Sequence, residues 1–325
     1  MTKAVEEDQT NIAARRAQGE FVRGHSGFRH WIGTDDFPAQ AGRYHLYVAL
    51  NCPWCHRVTL ARSILGLTQA ITMDVAFPNR EDNLWTFDPT LTASLTGTTL
   101  PECTLETATG QRHRHAKTLY EAEGSDEKSL PILYDKTAQR IVTNESAEIV
   151  RMLGAQSAKL GGTGQDIYPE ALRDDIDALN DVIYVAINNG AYKAGFSSDQ
   201  TVYAEAFDAY FDALTDLDDR LSDGRPFLTG NTFTEADLRL FPTLYRHDPV
   251  YYVRMKLNGA RILDYPHLWQ WVCRVYALPG VAEAGSLLHC RQGYFGNSWN
   301  KTVPLGPRLP MPYPQAYRHP ELADR

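Results

Sequence analysis

The chain is poor in the features that would place it in a class at once. Its 325 residues hold only five cysteines, an odd number without regular spacing. That excludes a disulfide scaffold and points to thiols kept reduced. No stretch approaches the roughly 20 consecutive apolar residues of a membrane span, and Met1 to Glu20 (MTKAVEEDQTNIAARRAQGE) contains no apolar segment of the kind a secretory signal needs. The expectation is a soluble, cytoplasmic protein with no membrane partner. Positive charge is not in excess either. Against 40 Asp+Glu stand 32 Lys+Arg, a net charge of −8, which disfavours a nucleic-acid partner because phosphates must be neutralised by clustered cations. What remains is a globular composition, 43% hydrophobic and 22% charged, in a chain longer than one ordinary core of roughly 100–200 residues. Two domains are expected.

Residues 1–40 show no strong period and read as an extension on the surface. From 41 to 155 the pattern is mixed. The run Arg43-Tyr-His-Leu-Tyr-Val-Ala-Leu50 suits a buried strand, and His56 to Leu67 carries apolar residues at helical spacing that stops at Gly66-Leu67. Ala70 to Phe77 reads as a second strand. The stretch from about 78 to 128 loses periodicity and reads as a long insertion. Leu130 to Tyr134 and Arg140 to Val142 then look like two antiparallel strands, followed by a helix from about Glu145 with Thr143 or Asn144 as its cap. Residues 156–166, rich in Gly and Ser, read as a linker. From 167 to 303 the spacing is helical: Leu172, Ile176, Leu179, Ile183 and Ile187 form one stripe, and Phe207, Phe211, Leu214, Leu217 and Leu221 another. Thr234-Glu-Ala-Asp237 has the spacing of a capping box. The segment 304–325 is proline-rich and cannot be helical. The fold class expected is an α/β domain followed by an all-α helical bundle.

Chemistry concentrates at Cys52-Pro-Trp-Cys55. Zinc would need a second ligand pair, and Cys103, Cys273 and Cys290 stand singly, so no metal is expected. The redox reading requires a strand before the motif and a helix after it, and both are predicted. Cys52 then falls at a helix N-terminus, where unpaired amides and the helix dipole favour an anion. A thiol of ordinary pKa is only a few per cent ionised at neutral pH. Lowering it to about 6 takes roughly 3.4 kcal/mol of differential stabilisation. Cys52 is the candidate nucleophile. Cys55, one turn on, is compatible both with a monothiol reaction and with a dithiol cycle. Pro131 opens the strand at Leu130-Pro131, which resembles the place where thioredoxin-like folds set a cis peptide that turns the preceding backbone towards a peptide ligand. Asn144-Glu-Ser146 opens the next helix and offers amides and a hydroxyl to a carboxylate, with Glu145 available for an amine.

These pieces, in this order, resemble a glutathione transferase, with a thioredoxin-like N-terminal domain and an all-α helical-bundle C-terminal domain. Within that superfamily the chain resembles the xi class, the glutathionyl-hydroquinone reductases, over about residues 20–307. The resemblance is carried by Asn51-Cys-Pro-Trp-Cys-His-Arg57, Leu84-Trp-Thr-Phe87, Val142-Thr-Asn-Glu-Ser-Ala-Glu-Ile149, Asn188-Asn-Gly-Ala-Tyr-Lys-Ala-Gly-Phe196, Thr234-Glu-Ala-Asp-Leu-Arg-Leu-Phe241 and Tyr294-Phe-Gly296. It implies glutathione as cosubstrate, a quinone-type aromatic substrate and a homodimer. It also implies Cys52 as nucleophile, with Trp85, Leu130, Pro131, Glu145 and Ser146 holding glutathione. Tyr192 and Tyr294 would set hydroxyls on the phenolic substrate. The chain departs from the family at Cys55, where Ala is common, and at Gly293-Tyr294-Phe295, where the family has His-Tyr-Tyr. It departs again at Glu127-Lys128, where an Arg is usual, and through 88–128. Three further readings therefore stay open: a glutaredoxin-like dithiol reductase using Cys52 and Cys55, an enzyme of the same type using another low-molecular-weight thiol, and a non-catalytic binding module.

Overall fold

A computed structural model describes residues 15–22, 24, 26–80, 82–96, 114–297 and 301–304. The proline-rich tail beyond Pro304 and Cys103 lie outside the described residues. Contacts divide the chain into two units, each assembled from two segments: Ser26–Glu170 with Cys273–Arg325, and Met1–His25 with Ala171–Val272.

The first unit is built on a sheet. Strand β1 (Tyr44–Val48) is buried along its whole length, as a central strand covered on both faces must be. Helix α1 (Pro53–Ile64) returns the chain to β2 (Thr72–Val75), parallel to β1. Strands β3 (Ile132–Asp135) and β4 (Arg140–Thr143) complete the order β2-β1-β3-β4, antiparallel to their neighbours. Their hairpin is closed by Asp135, whose carboxylate accepts from the amides of Thr137 (2.8 Å) and Ala138 (3.0 Å) and pairs with Arg43 at 2.7 Å. Helix α4 (Ser146–Gln156) follows. Its cap is Glu145 rather than Thr143 or Asn144, because the Thr143 hydroxyl is taken up by the amide of Glu145.

Three stretches without sequence periodicity are ordered within this unit. Part of the expected surface extension lies along β4: Arg29 bridges Thr143, and the amide of His30 donates to Val142 at 2.9 Å. Ile32 and Phe37 from the same segment are buried. The expected insertion contains helices α2 (Pro89–Thr96) and α3 (Ala116–Ala122), the latter burying Leu119 and Tyr120. The Gly/Ser-rich stretch after α4 is packed rather than loose. Leu160 is fully buried and the amide of Thr163 donates to the Leu65 carbonyl at 2.9 Å. Helix α10 (Leu287–Phe295) also groups with this unit; the Cys290 thiol lies 3.6 Å from the Leu50 carbonyl.

The second unit is helical. Helix α5 (Arg173–Val182) runs through a π-helical stretch, Ile183–Asn188, into α6 (Asn189–Phe196). Helix α7 (Gln200–Leu221) buries Ala206, Tyr210, Ala213, Leu214, Leu217 and Leu221. The centre of its apolar face is therefore rotated from the expected stripe. Phe207 and Phe211 sit half-buried at the margin, ring against ring at 4.6 Å. Helix α8 (Glu235–Arg246) starts at the Thr234–Asp237 capping box that the sequence predicts. Helix α9 (Pro266–Tyr276) supplies Trp271, whose indole donates to Asp237 at 2.9 Å. No helix among the described residues is long and apolar enough to cross a membrane.

Candidate active site

The Cys52 thiol is positioned by the strand-turn-helix unit. Cys52 has extended backbone angles and is the N-cap of α1. Pro53 takes the first helical position, where its missing donor costs nothing. The amide of His56 donates to the Cys52 carbonyl at 3.0 Å, closing the first turn. The Cys52 side chain makes no cap hydrogen bond to that turn. The sulfur is half-buried and lies 3.9 Å from the carbonyl oxygen of Leu130, the residue before a cis peptide at Pro131. Cys55 has no exposed surface and, like Cys52, is a thiol rather than part of a disulfide. Around them Trp54 is buried and carries the Arg57 guanidinium 4.5 Å above its ring.

A second helix end lies beside the same loop. The Glu145 carboxylate accepts from the amide of Ala147 at 3.1 Å and from the Ser26 hydroxyl at 3.2 Å. The Ser146 side chain is buried, with its hydroxyl 3.5 Å from Glu145. Asn144 donates to the Tyr120 hydroxyl (3.1 Å) and to Ser129 Oγ (3.2 Å), and Tyr120 in turn donates to the Ser129 carbonyl at 3.0 Å. The chain from Ser129 to Pro131 is thus tied to the N-terminus of α4 while it faces Cys52 from the other side. Burial pushes the Tyr120 hydroxyl well above its ordinary pKa, so it stays protonated and can donate.

Glu127 also belongs to this network. Its carboxylate accepts from Asn144 Nδ2 and from the amide of Gly27 at 3.0 Å. Trp85 is half-buried, its carbonyl accepts from Ala116 at 3.1 Å, and the Arg80 guanidinium stands 5.3 Å from its ring. Sequence reading missed Ser26 and Arg80. Ser26 is brought in from over a hundred residues away by the edge segment, and Arg80 sits in a stretch without periodicity, so neither carried a local signal.

The two tyrosines fall in different units. Tyr294, on α10, is half-buried. A Cβ on its neighbour Gly293 would come within 2.7 Å of Asn51 Cγ, so the absence of a side chain lets α10 pack against the residue that precedes Cys52. Tyr192, on α6, is half-buried against Phe21 (5.8 Å), Phe196 (5.4 Å) and Tyr251 (6.4 Å). The segment that brings Phe21 there is anchored by Glu20, which accepts from Arg15 and pairs with Lys193 at 3.1 Å. Arg15 first, then Lys193, hold the Glu20 carboxyl down at about 2, despite partial desolvation. Among the described residues no group of three His, Cys, Asp or Glu side chains is placed to hold a metal ion.

Comparison with known proteins agrees with this geometry. The glutathione S-transferase N-terminal domain family matches residues 51–156, and the C-terminal domain family matches 200–273. The chain is 42% identical to glutathionyl-hydroquinone reductase YqjG of Escherichia coli, over 88% of this chain and 86% of the relative. It is 38% identical to glutathionyl-hydroquinone reductase PcpF of Sphingobium chlorophenolicum, over 90% and 92%. The glutathione-bound structure of the Escherichia coli protein superposes with a TM-score of 0.80 at 37% identity, covering 89% of this chain and 96% of that one. The xi glutathione transferase of Phanerochaete chrysosporium gives 0.80 at 35% identity, over 90% and 94%. With its sheet unit, its helical unit and a cysteine capping the first helix, the chain belongs to the xi class of the glutathione transferase superfamily, the glutathionyl-hydroquinone reductases.

Proposed function

We propose that this protein is a glutathione-dependent reductase of glutathionyl-hydroquinones, with Cys52 as its nucleophile. The observation that carries the reading is the place of the Cys52 sulfur: at the N-terminus of α1, half-buried, 3.9 Å from the Leu130 carbonyl. A thiolate there is stabilised by the amide end of the helix. It attacks the sulfur of the glutathionyl-hydroquinone. The electron pair of the carbon–sulfur bond goes to the ring carbon, which takes a proton, and hydroquinone leaves. Cys52 is left in a mixed disulfide with glutathione. Attack by a second glutathione then restores the thiol and releases glutathione disulfide.

In this reading the Leu130 backbone and Pro131 line the peptide portion of glutathione, and Trp85 covers it. Glu145 and Ser146 receive its γ-glutamyl end, the carboxylate of Glu145 suiting the ammonium group and the helix amides the carboxylate. Tyr294 and Tyr192 each offer a phenol hydroxyl to the substrate oxygens. A cytoplasmic location and a homodimer belong to the same reading, supported by reduced thiols and by superfamily resemblance; light scattering on the purified protein tests the dimer. Glu127-Lys128, where an Arg is usual in the class, favours repeating the assay below with other low-molecular-weight thiols.

The test is steady-state turnover of reduced glutathionyl-menadione with glutathione. The wild type should release the free hydroquinone and glutathione disulfide in equal amounts, and Cys52→Ser should release neither. Undiminished turnover by Cys52→Ser, or none by the wild type, overturns the reading.

A further inference from the structure

The reaction through Cys52 makes no use of Cys55, yet this chain carries a second thiol in the same helical turn. Residues three apart on a helix have Cβ atoms about 5–6 Å from each other, beyond the roughly 3.5–4.5 Å that a disulfide spans, so one of the two must move by about 1–2 Å. Cys52 is that cap, with extended backbone angles, so it is the member of the pair not held by helical geometry. Cys55 has no exposed surface, and Pro53, Trp54, His56 and Arg57 beside it are buried. No dissolved thiol or alkylating agent reaches it. Cys55 also lies within electrostatic reach of the Tyr120 hydroxyl, which is bonded to Ser129.

We propose that Cys55 is the resolving thiol of this enzyme, attacking the Cys52–glutathione mixed disulfide from within the same helical turn. The proposal rests on the reading of Cys52 given above and changes how its cycle closes. The Cys55 sulfur bonds to the Cys52 sulfur, and the bond between Cys52 and glutathione breaks. The leaving glutathione sulfur takes the electron pair and the Cys55 proton. One glutathione is released in its thiol form, leaving an intramolecular Cys52–Cys55 disulfide. Two further glutathione molecules reduce that disulfide and depart as glutathione disulfide. The net reaction is unchanged: glutathionyl-hydroquinone and one glutathione give hydroquinone and glutathione disulfide. An intramolecular thiol in the same turn has the entropic advantage of a tethered reactant.

The experiment is a single turnover without added thiol. Fully reduced protein is mixed with a slight excess of reduced glutathionyl-menadione and quenched with acid. Free hydroquinone, free glutathione and the intact protein mass are then measured. The wild type should release glutathione one for one with hydroquinone and lose two hydrogens in mass, and its non-reduced peptide map should contain Cys52 linked to Cys55. Cys55→Ala and Cys55→Ser should release hydroquinone alone and keep a glutathione-sized adduct on Cys52. A wild type that retains the adduct as fully as the variants overturns the resolving role and leaves the Cys52 reading standing. No hydroquinone from any of the proteins overturns both. Should the variants fail to fold, the wild-type map decides alone: absence of the Cys52–Cys55 peptide overturns the proposal.

Discussion

Helix α8 and helix α1 both begin with a short polar residue after an extended backbone, and they use that position in opposite ways. At α8 the end is closed. Asp237 has no exposed surface and accepts from the amides of Thr234 and Leu228 (2.9 Å each) and from the Trp271 indole (2.9 Å). Burial pushes its pKa up while these donors pull it down, so the carboxylate is committed to its neighbours. At α1 the cap side chain makes no such bond and its sulfur is half-exposed. In the proposed reaction the N-terminal end of α1 stabilises the Cys52 thiolate, whereas the start of α8 serves the fold.

Substitutions at the two ends should therefore separate cleanly. Cys52→Ser should lower turnover by at least about a thousandfold, equivalent to roughly 4 kcal/mol, while moving the urea midpoint little. Asp237→Ala should do the reverse at the level of the fold. Stripping the partner from three buried donors costs about 3–5 kcal/mol, to be read from urea denaturation. If Asp237→Ala left stability intact, the closed end would not be the structural one.

Helix α4 stands between these extremes, because Glu145 both caps the helix and faces the proposed glutathione site. Glu145→Ala should lose about 1 kcal/mol of stability and also raise the KM for glutathione. Ser146→Ala should raise that KM about tenfold, close to 1.4 kcal/mol, with kcat nearly unchanged. Equal loss of kcat would show that Ser146 acts at the reacting sulfur instead.

Acid pH probes the sheet unit that carries α1 and α4. Burial holds His45 down at about 3, with Lys136 and Arg62 adding to the effect, and holds His289 down at about 4. Both are neutral in the folded protein and protonate near pH 6.5 once unfolded. The stability they contribute is complete above that value. It is lost as pH falls from 6.5 towards 4 and 3, at up to about 1.4 kcal/mol per pH unit for each residue. His289→Gln should flatten the slope of unfolding free energy against pH between 6.5 and 4.5. An unchanged slope would remove His289 from the account.

Much of the site was legible because it is local in sequence. Cys52, Pro53 and the helix after them form one strand-turn-helix unit, and Thr234 to Asp237 form one cap; each needs only neighbours in the chain. Leu130-Pro131 and Asn144-Glu-Ser146 could be named for the same reason. Ser26 and Arg80 could not, since their roles depend on which distant segment the fold lays beside them. The cap of α4 falls one or two residues after the expected Thr143 or Asn144, because all three residues are able to accept; the Thr143 hydroxyl is taken by the Glu145 amide and Asn144 turns to Tyr120, which leaves the role to Glu145. The stripe on α7 was rotated for a similar reason. Phe207 and Phe211 are more apolar than Ala206 and Tyr210, but the small Ala206 and the Tyr210 hydroxyl bonded to His247 at 2.8 Å fit the interior.

The sequence alone determined the Cys-Pro-Trp-Cys motif, the order of strand, turn and helix around it, the two-part composition and the class resemblance, because periodicity, capping and Cys-x-x-Cys spacing act within one turn or one strand. Only the tertiary structure decided that the early segment lies along β4, that α10 joins the sheet unit, and that the 156–166 stretch is packed. It also decided that Cys55 is sealed behind Cys52. These follow from which surfaces can bury one another and which buried polar groups find partners, and that is settled between residues far apart in the chain.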